Sequence, residues 1–197
     1  ELAYSGTNGP NLYTREVPMG PMHSPILTFT SDPVQARAMD KQDIKNLRHW
    51  HTLAYRRAKR AGFDIMCLYG APGSGILQPF LSRLLKELLS DARDEVGETC
   101  AVAVRLSLEE LGEQGFSNAE LRDLIGLHAE LPDIWDFAHG TWEACSGTSR
   151  FKPEAAQEDL IRGIKQLTPK PVVGVGRFTS PDLMVRQIRQ GILDFIG

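Results

Sequence analysis

Apolar residues fall in short, strand-sized runs at 63–69, 101–106, 134–139, 172–175 and 193–196, and stretches with helical spacing of apolar positions fill the intervals between them. Continuous apolar runs without polar alternation suit strands of a parallel sheet covered on both faces. Ahead of the first run, Asp40 reads as the cap of a helix reaching Gly62, with Asp43 near its first turn and Ile44, Leu47, Leu53 and Ala54 at roughly helical spacing. Further helices are expected at 84–96, 117–130, 153–167 and 180–190. The first strand starts lie about 35 residues apart, enough for a strand, a crossover helix and its loops.

This alternation places the chain in the α/β class. No GxGxxG follows the first run, which disfavours a Rossmann domain. A (β/α)8 TIM barrel fits better, and the strand-like residues that open the chain bring its strands to six. Two more would be needed to close a barrel.

The remainder of residues 1–39 is expected to be a loop, rich in Gly, Pro, Asn and Met through Gly9-Pro10-Asn11 and Pro18-Met19-Gly20-Pro21-Met22. Irregular segments of that length are uncommon in compact domains, and a lid over a site is one use for them. Arg56, Arg57, Lys59 and Arg60 crowd one helix end, where the dipole favours solvated cations.

Composition changes this picture little. A chain of 197 residues, 42% hydrophobic and 24% charged, supports one well-buried domain, and a net charge of −3 gives no reason to expect nucleic acid or an anionic membrane surface. No apolar run is long enough to span a bilayer. Glu1-Leu2-Ala3-Tyr4 lacks both an initiator methionine and the basic and apolar regions of a signal peptide. Cys67, Cys100 and Cys145 are widely spaced, with no CxxC, so reduced thiols in a cytoplasmic protein are expected, with neither a metal site nor a disulfide framework.

Two stretches carry candidate chemistry. Lys170-Pro171-Val172-Val173-Gly174-Val175-Gly176-Arg177-Phe178-Thr179-Ser180-Pro181-Asp182 reads as a strand, a glycine turn bearing an arginine, and a helix start. Close-approaching backbone amides, a helix N-terminus and a guanidinium together suit a phosphate, although an ordinary tight turn with a solvated arginine has the same local sequence. Arg105 ends the small apolar run 101–104, at the strand end where a barrel keeps its site, and a buried arginine needs an anionic partner. That partner is either a ligand or a structural carboxylate, Glu109 or Asp136.

Taken in order, Phe63-Asp64-Ile65 with Tyr69-Gly70-Ala71, Cys100-Ala101-Val102-Ala103-Val104-Arg105, Trp135-Asp136, Ser149-Arg150-Phe151, and Lys170 to Asp182 followed by Asp194-Phe195-Ile196-Gly197 resemble the old yellow enzyme superfamily. Within it the chain looks most like the trimethylamine and dimethylamine dehydrogenase branch, which includes histamine, dimethylglycine and N-methylproline demethylating enzymes. The resemblance implies an FMN-binding barrel whose third to eighth strands lie between Glu1 and Ile196, and a segment of relatives missing near Ser82–Leu84. It also implies a 4Fe-4S cluster and a second nucleotide, ADP or FAD, in further parts of a longer polypeptide.

The resemblance further implies roles for individual residues. Arg105 would lie against the pyrimidine side of the flavin, Gly176 and Arg177 would hold its phosphate with Gly174 and Val175 leading into that turn, and Glu1 would meet the ring edge. Tyr69 matches the tyrosine of a Tyr-His-Asp arrangement, with Asp136 or a neighbour as its acid. Pro72 stands where histidine or asparagine is usual, and Ser74 where many relatives have tyrosine. Proline offers no side-chain donor, which argues against ordinary alkene reduction more strongly than against amine oxidation. His139 is either a base or carboxylate-binding residue, or a structural histidine. Trp142 with Trp135 could wall a methylammonium site through cation–π attraction, or pack in the core. His23, His49, His51 and His128 are expected at the surface.

The expected activity is oxidative demethylation of a small secondary or tertiary amine, with electrons passing to an acceptor such as an electron-transfer flavoprotein, in a homo-oligomer. An NAD(P)H-dependent ene-reductase and a non-catalytic phosphate-binding barrel are the alternatives.

Overall fold

Five parallel strands, hydrogen-bonded in sequence order, frame the structure: β4 (Ile65–Gly70), β5 (Ala101–Ser107), β6 (Ile134–Ala138), β7 (Val172–Gly174) and β8 (Phe195–Ile196). Ahead of them come β1 (Met19–Gly20), β2 (Ser24–Ile26), β3 (Val34–Ala38) and helix α1 (Lys41–Arg60). The crossovers hold α2 (Leu81–Val96), α3 (Asn118–Leu127), α4 (Glu158–Ile161) and α5 (Pro181–Arg189). This computed structural model describes residues 1–4, 6, 16–20, 23–26, 34–71, 81–109, 116–140 and 150–197.

On the other edge of β4, Leu2 bridges Leu68 in parallel: Leu2 N donates to Cys67 O at 2.8 Å, and Tyr69 N donates to Leu2 O at 2.9 Å. The opening residues therefore extend the sheet to a sixth parallel position.

Alternation along the strands sorts side chains to two faces. Met66, Leu68, Val102, Val104, Leu106, Trp135, Phe137 and Val172 turn toward the helices and form the core with Leu85, Leu88, Leu121, Ile125 and Ile164. Trp135 is fully buried there, stacked on Phe137 with ring centroids 6.2 Å apart, and donates its indole N–H to Ala129 O. It is a core residue and not part of an aromatic wall. The β4 expectation was too apolar: Phe63 and Ile65 stand exposed, and burial alternates from Ile65 to Gly70.

The helix starting at Asp40 forms as expected. Asp40 accepts from Gln42 N and Asp43 N, while Asp43 accepts from Asp40 N, a reciprocal capping box. Its most buried stripe is Asp43, Leu47, His51 and Tyr55, so polar residues occupy positions that a hydrophobicity pattern passes over. Arg56 pairs with Glu95 of α2, and Arg48 grips Asp91 through two bonds of 2.7 Å. The basic helix end is thus tied in part to its neighbour.

Three further expectations are corrected. The stretch before residue 39 is not wholly irregular: β1 and β2 flank β3 in a small mixed sheet. The helix expected at 153–167 is broken into α4 and a short 3-10 turn at Ile164–Gln166, because Arg162 turns extended at ψ 128° and Gly163 takes a left-handed conformation with φ +85°. Of the four histidines expected at the surface, His51 and His128 are buried, His51 donating to Leu47 O and His128 joined to Ser82 Oγ at 2.8 Å.

At the N-terminal ends of the strands, Asp133 and Asp194 repeat one device. Each carboxylate accepts an amide from the preceding strand, Val102 N and Val172 N respectively, both at 2.8 Å. Each also holds a cation, Arg93 for Asp133 and Lys165 for Asp194. These clamps fix the register in which the opposite strand ends meet.

Candidate active site at the open face of the sheet

The face of the sheet turned away from the helices carries a row of residues paired strand to strand. Tyr69 opposes Arg105, Arg105 opposes Asp136, Asp136 opposes Val173, and Val173 opposes Phe195. Adjacent strands lie about 4.8 Å apart, so the first three side chains converge without any help from loops. The Arg105 guanidinium donates to Asp136 Oδ2 at 2.5 Å, with both side chains largely buried at 21% and 16% exposure.

Burial pushes the Asp136 carboxyl up from its ordinary range, and the Arg105 charge and hydrogen bond oppose that rise. Burial likewise opposes the charge on Arg105, but Asp136, Glu1 and Tyr69 together hold its pKa above the ordinary value. Glu1, itself exposed, therefore belongs to the electrostatic neighbourhood of the pair. Asp136 Oδ1 is buried with no hydrogen-bond partner among the described residues. Such an atom is costly unless something polar completes it.

Cys67 lies on the same face one layer below Tyr69, opposite Ala103, and burial pushes its thiol up to about 11. Sequence reasoning passed over it as a site residue, although its two-residue spacing from Tyr69 marks the shared face.

His139 follows the last residue of β6 and is out of step with Asp136; alternation sets it on the side of Trp135 and Phe137. It is buried, with Nδ1 lacking a partner among the described residues. Burial holds its pKa below the ordinary 6.5, Lys152 adds to that, and Glu109 opposes it. Trp142, Pro72 and Ser74 lie outside the described residues.

Beyond β7 the expected phosphate turn takes a definite form. Gly174 faces the core, where an added Cβ would lie 2.7 Å from Leu193 Cδ2 and 2.8 Å from Ile161 Cδ1, so close packing is what requires glycine there. Val175 is half-buried beside Gly197, and Gly197 N donates to Gly174 O at 2.9 Å. Gly176 is buried against Ala155, and Arg177 is exposed with a left-handed φ of +53°. Pro181 opens α5 directly afterwards.

These residues fit a phosphorylated flavin. Asp136 Oδ1 needs a polar partner, Arg105 provides positive charge for an electron-rich ring, and the Gly176 cradle would be filled by a Cβ 3.3 Å from Ala155 Cα. Among the described residues no group of three or more His, Cys, Asp or Glu side chains could hold a metal ion, and no helix is long and apolar enough to cross a membrane.

A parallel sheet bearing a buried Arg105–Asp136 pair on its open face, with a glycine-arginine turn after its penultimate strand, suits a barrel-type enzyme domain with its site at the C-terminal strand ends. The chain belongs to the NADH:flavin oxidoreductase / NADH oxidase family, which matches residues 81–197. Its fold is part of the (β/α)8 barrel of the old yellow enzyme superfamily.

Dimethylamine dehydrogenase of Hyphomicrobium sp. (strain x) is 33% identical, aligning with 100% of this chain and 30% of its own length. The structure of histamine dehydrogenase from Rhizobium sp. 4-9 superposes with a TM-score of 0.91 at 58% identity, over 99% of this chain and 31% of that one. The 6-hydroxypseudooxynicotine amine oxidase HisD from Pseudomonas geniculata N1 superposes with a TM-score of 0.89 at 43% identity, over 100% of this chain and 32% of that one. The chain thus spans about a third of the length of these relatives.

Proposed function

We propose that this chain is the barrel portion of an FMN-dependent amine dehydrogenase that oxidises a small amine at a carbon bonded to nitrogen, demethylating a secondary or tertiary amine such as a methylamine or an N-methylated amino acid. The observation that carries the reading is the Tyr69–Arg105–Asp136 row, a buried cation with an incompletely satisfied carboxylate on the open face of a flavin-family barrel. When bound, FMN supplies the hydride acceptor.

The chain's own residues do the rest. Arg105 holds positive charge against the pyrimidine side of the ring, Asp136 fixes that guanidinium, and Glu1 meets the ring edge. Gly176 and Arg177 hold the phosphate, with Gly174 and Val175 bringing β7 into the turn. Solvent, or Tyr69 as its phenolate, which would be left as the neutral phenol, takes the proton from the substrate nitrogen, since Pro72 offers no histidine to share the task. His139, held neutral by burial on the Trp135 side of β6, stands apart from that row, and Trp142 is the candidate for a cation–π contact with the substrate ammonium.

The 4Fe-4S cluster, a second nucleotide (ADP or FAD) and the surface for an electron acceptor such as an electron-transfer flavoprotein are assigned to parts of the polypeptide beyond these residues. A homo-oligomer in the cytoplasm is the expected setting, and the unpaired thiols of Cys67 and Cys100 suit a reducing compartment.

Histamine is a second substrate candidate, favoured by the 58% identity to histamine dehydrogenase. Anaerobic addition of dimethylamine, dimethylglycine and histamine to the purified holoenzyme tests the reading: bleaching of the flavin by an amine is expected. Bleaching by NAD(P)H with no response to any amine would instead make it an ene-reductase, and a protein that takes up no FMN would leave a non-catalytic barrel.

A further inference from the structure

The turn after β7 is held from outside by the residues just ahead of α4. Two non-glycine residues have a left-handed backbone among the described residues, Ala155 at φ +56° and Arg177 at φ +53°, and they meet at this turn. Ala155 N donates to Gly176 O at 2.9 Å. The Glu154 carboxylate accepts from Thr179 Oγ1 and, at 3.2 Å, from Ser180 N. Left-handed backbone at a residue with a Cβ persists only where its surroundings impose it, at a cost on the order of 1 kcal/mol per residue.

We propose that Glu154 and Ala155 form a clamp that positions the Gly176–Ser180 turn for a phosphate ester; the proposal rests on the reading above that this turn takes the FMN phosphate. A trans peptide sets its C=O and the following N–H on opposite sides. Capture of Gly176 O by Ala155 therefore aims the Arg177 N–H away from the clamp. Glu154 occupies the Ser180 amide at the start of α5, and its charge turns a phosphate away from that side. The anion is left to the side served by the Arg177 amide and guanidinium. Glu154 stays ionised, because its bond from Thr179 and the nearby Arg177 charge both lower its pKa.

The test compares two ligands that differ only in the phosphate. The full polypeptide freed of flavin is titrated with FMN and with riboflavin, following flavin fluorescence, for the wild type and for Glu154→Ala, Thr179→Val and Arg177→Ala. Glu154→Ala should weaken FMN about tenfold and Thr179→Val severalfold, with riboflavin affinity unchanged in both. Equal weakening of FMN and riboflavin in Glu154→Ala would mark general damage and overturn the clamp. FMN affinity unchanged in both clamp variants, with Arg177→Ala losing FMN selectively, would overturn the clamp and leave the phosphate turn standing. Arg177→Ala with an unchanged ratio of FMN to riboflavin affinity would remove the phosphate turn and the clamp together.

Discussion

Arg105 and Asp136 sit side by side on β5 and β6, joined at 2.5 Å on the open face of the sheet, with the second Asp136 oxygen buried and unpartnered among the described residues. The pair is both a structural tie and the centre of the candidate site. Removing the cation leaves a buried carboxylate uncompensated, whereas neutralising the carboxylate leaves an arginine that a ligand can still satisfy. Arg105→Ala is therefore expected to destabilise the fold by about 2–3 kcal/mol and to reduce flavin content or slow flavin reduction, with Asp136→Asn milder in stability. Denaturant unfolding and the flavin-to-protein absorbance ratio check this, and unchanged flavin content with unchanged turnover would remove Arg105 from the site.

Gly174 has no room for a methyl group between Leu193 and Ile161, which are buried at 2% and 3% exposure. Gly174→Ala should cost about 2 kcal/mol and lower the melting temperature by about 4–8 °C. A thermal melt reads this directly. An unchanged melting temperature would mean that the side chains yield.

Asp133 and Asp194 are expected to matter more than surface acids. Each combines a backbone amide with a cation at a strand entrance, and Asp133→Ala or Asp194→Ala should cost about 1.5–3 kcal/mol. Double substitution should be close to additive, because the two clamps share no partner. Chemical denaturation of the single and double variants measures both claims.

Asp43 binds Arg37 through two hydrogen bonds and caps α1, which together hold its carboxyl at about 2 against an ordinary 3.8. A lowered folded-state pKa contributes stability that is fully present above the ordinary value and is lost as pH falls through the folded one. The stability difference between wild type and Asp43→Asn should therefore be constant near neutral pH and shrink between pH 4 and 2. Thermal melts across that range show it, and a difference that does not narrow would detach the capping box from the Arg37 pair.

How much was legible beforehand varied with the kind of signal. The five strands of the main sheet and four of the five expected helices were visible because each is a continuous periodic stretch bounded by its own turn chemistry. The helix at 153–167 failed because Ala155 and Gly163 take left-handed backbone and Arg162 an extended one, conformations that periodicity does not register. His51 and His128 were misplaced because a polar residue on a buried stripe looks like a surface residue until its carbonyl or hydroxyl partner is known. Trp135 carried two readings, and only the face assigned by strand register chose the core.

By itself, the order of residues determined the strand and helix alternation, the candidates Tyr69, Arg105, Asp136, Gly176 and Arg177, and the family they resemble, since these depend on local spacing and on motifs contiguous in the chain. Only tertiary structure decided that Tyr69, Arg105 and Asp136 share one row, that Gly174 serves packing, and that Glu154 and Ala155 reach across to the phosphate turn. The directly contacting pairs in those relations lie 13 to 36 positions apart, and such distances are closed by strand pairing and chain crossover, which no local pattern encodes.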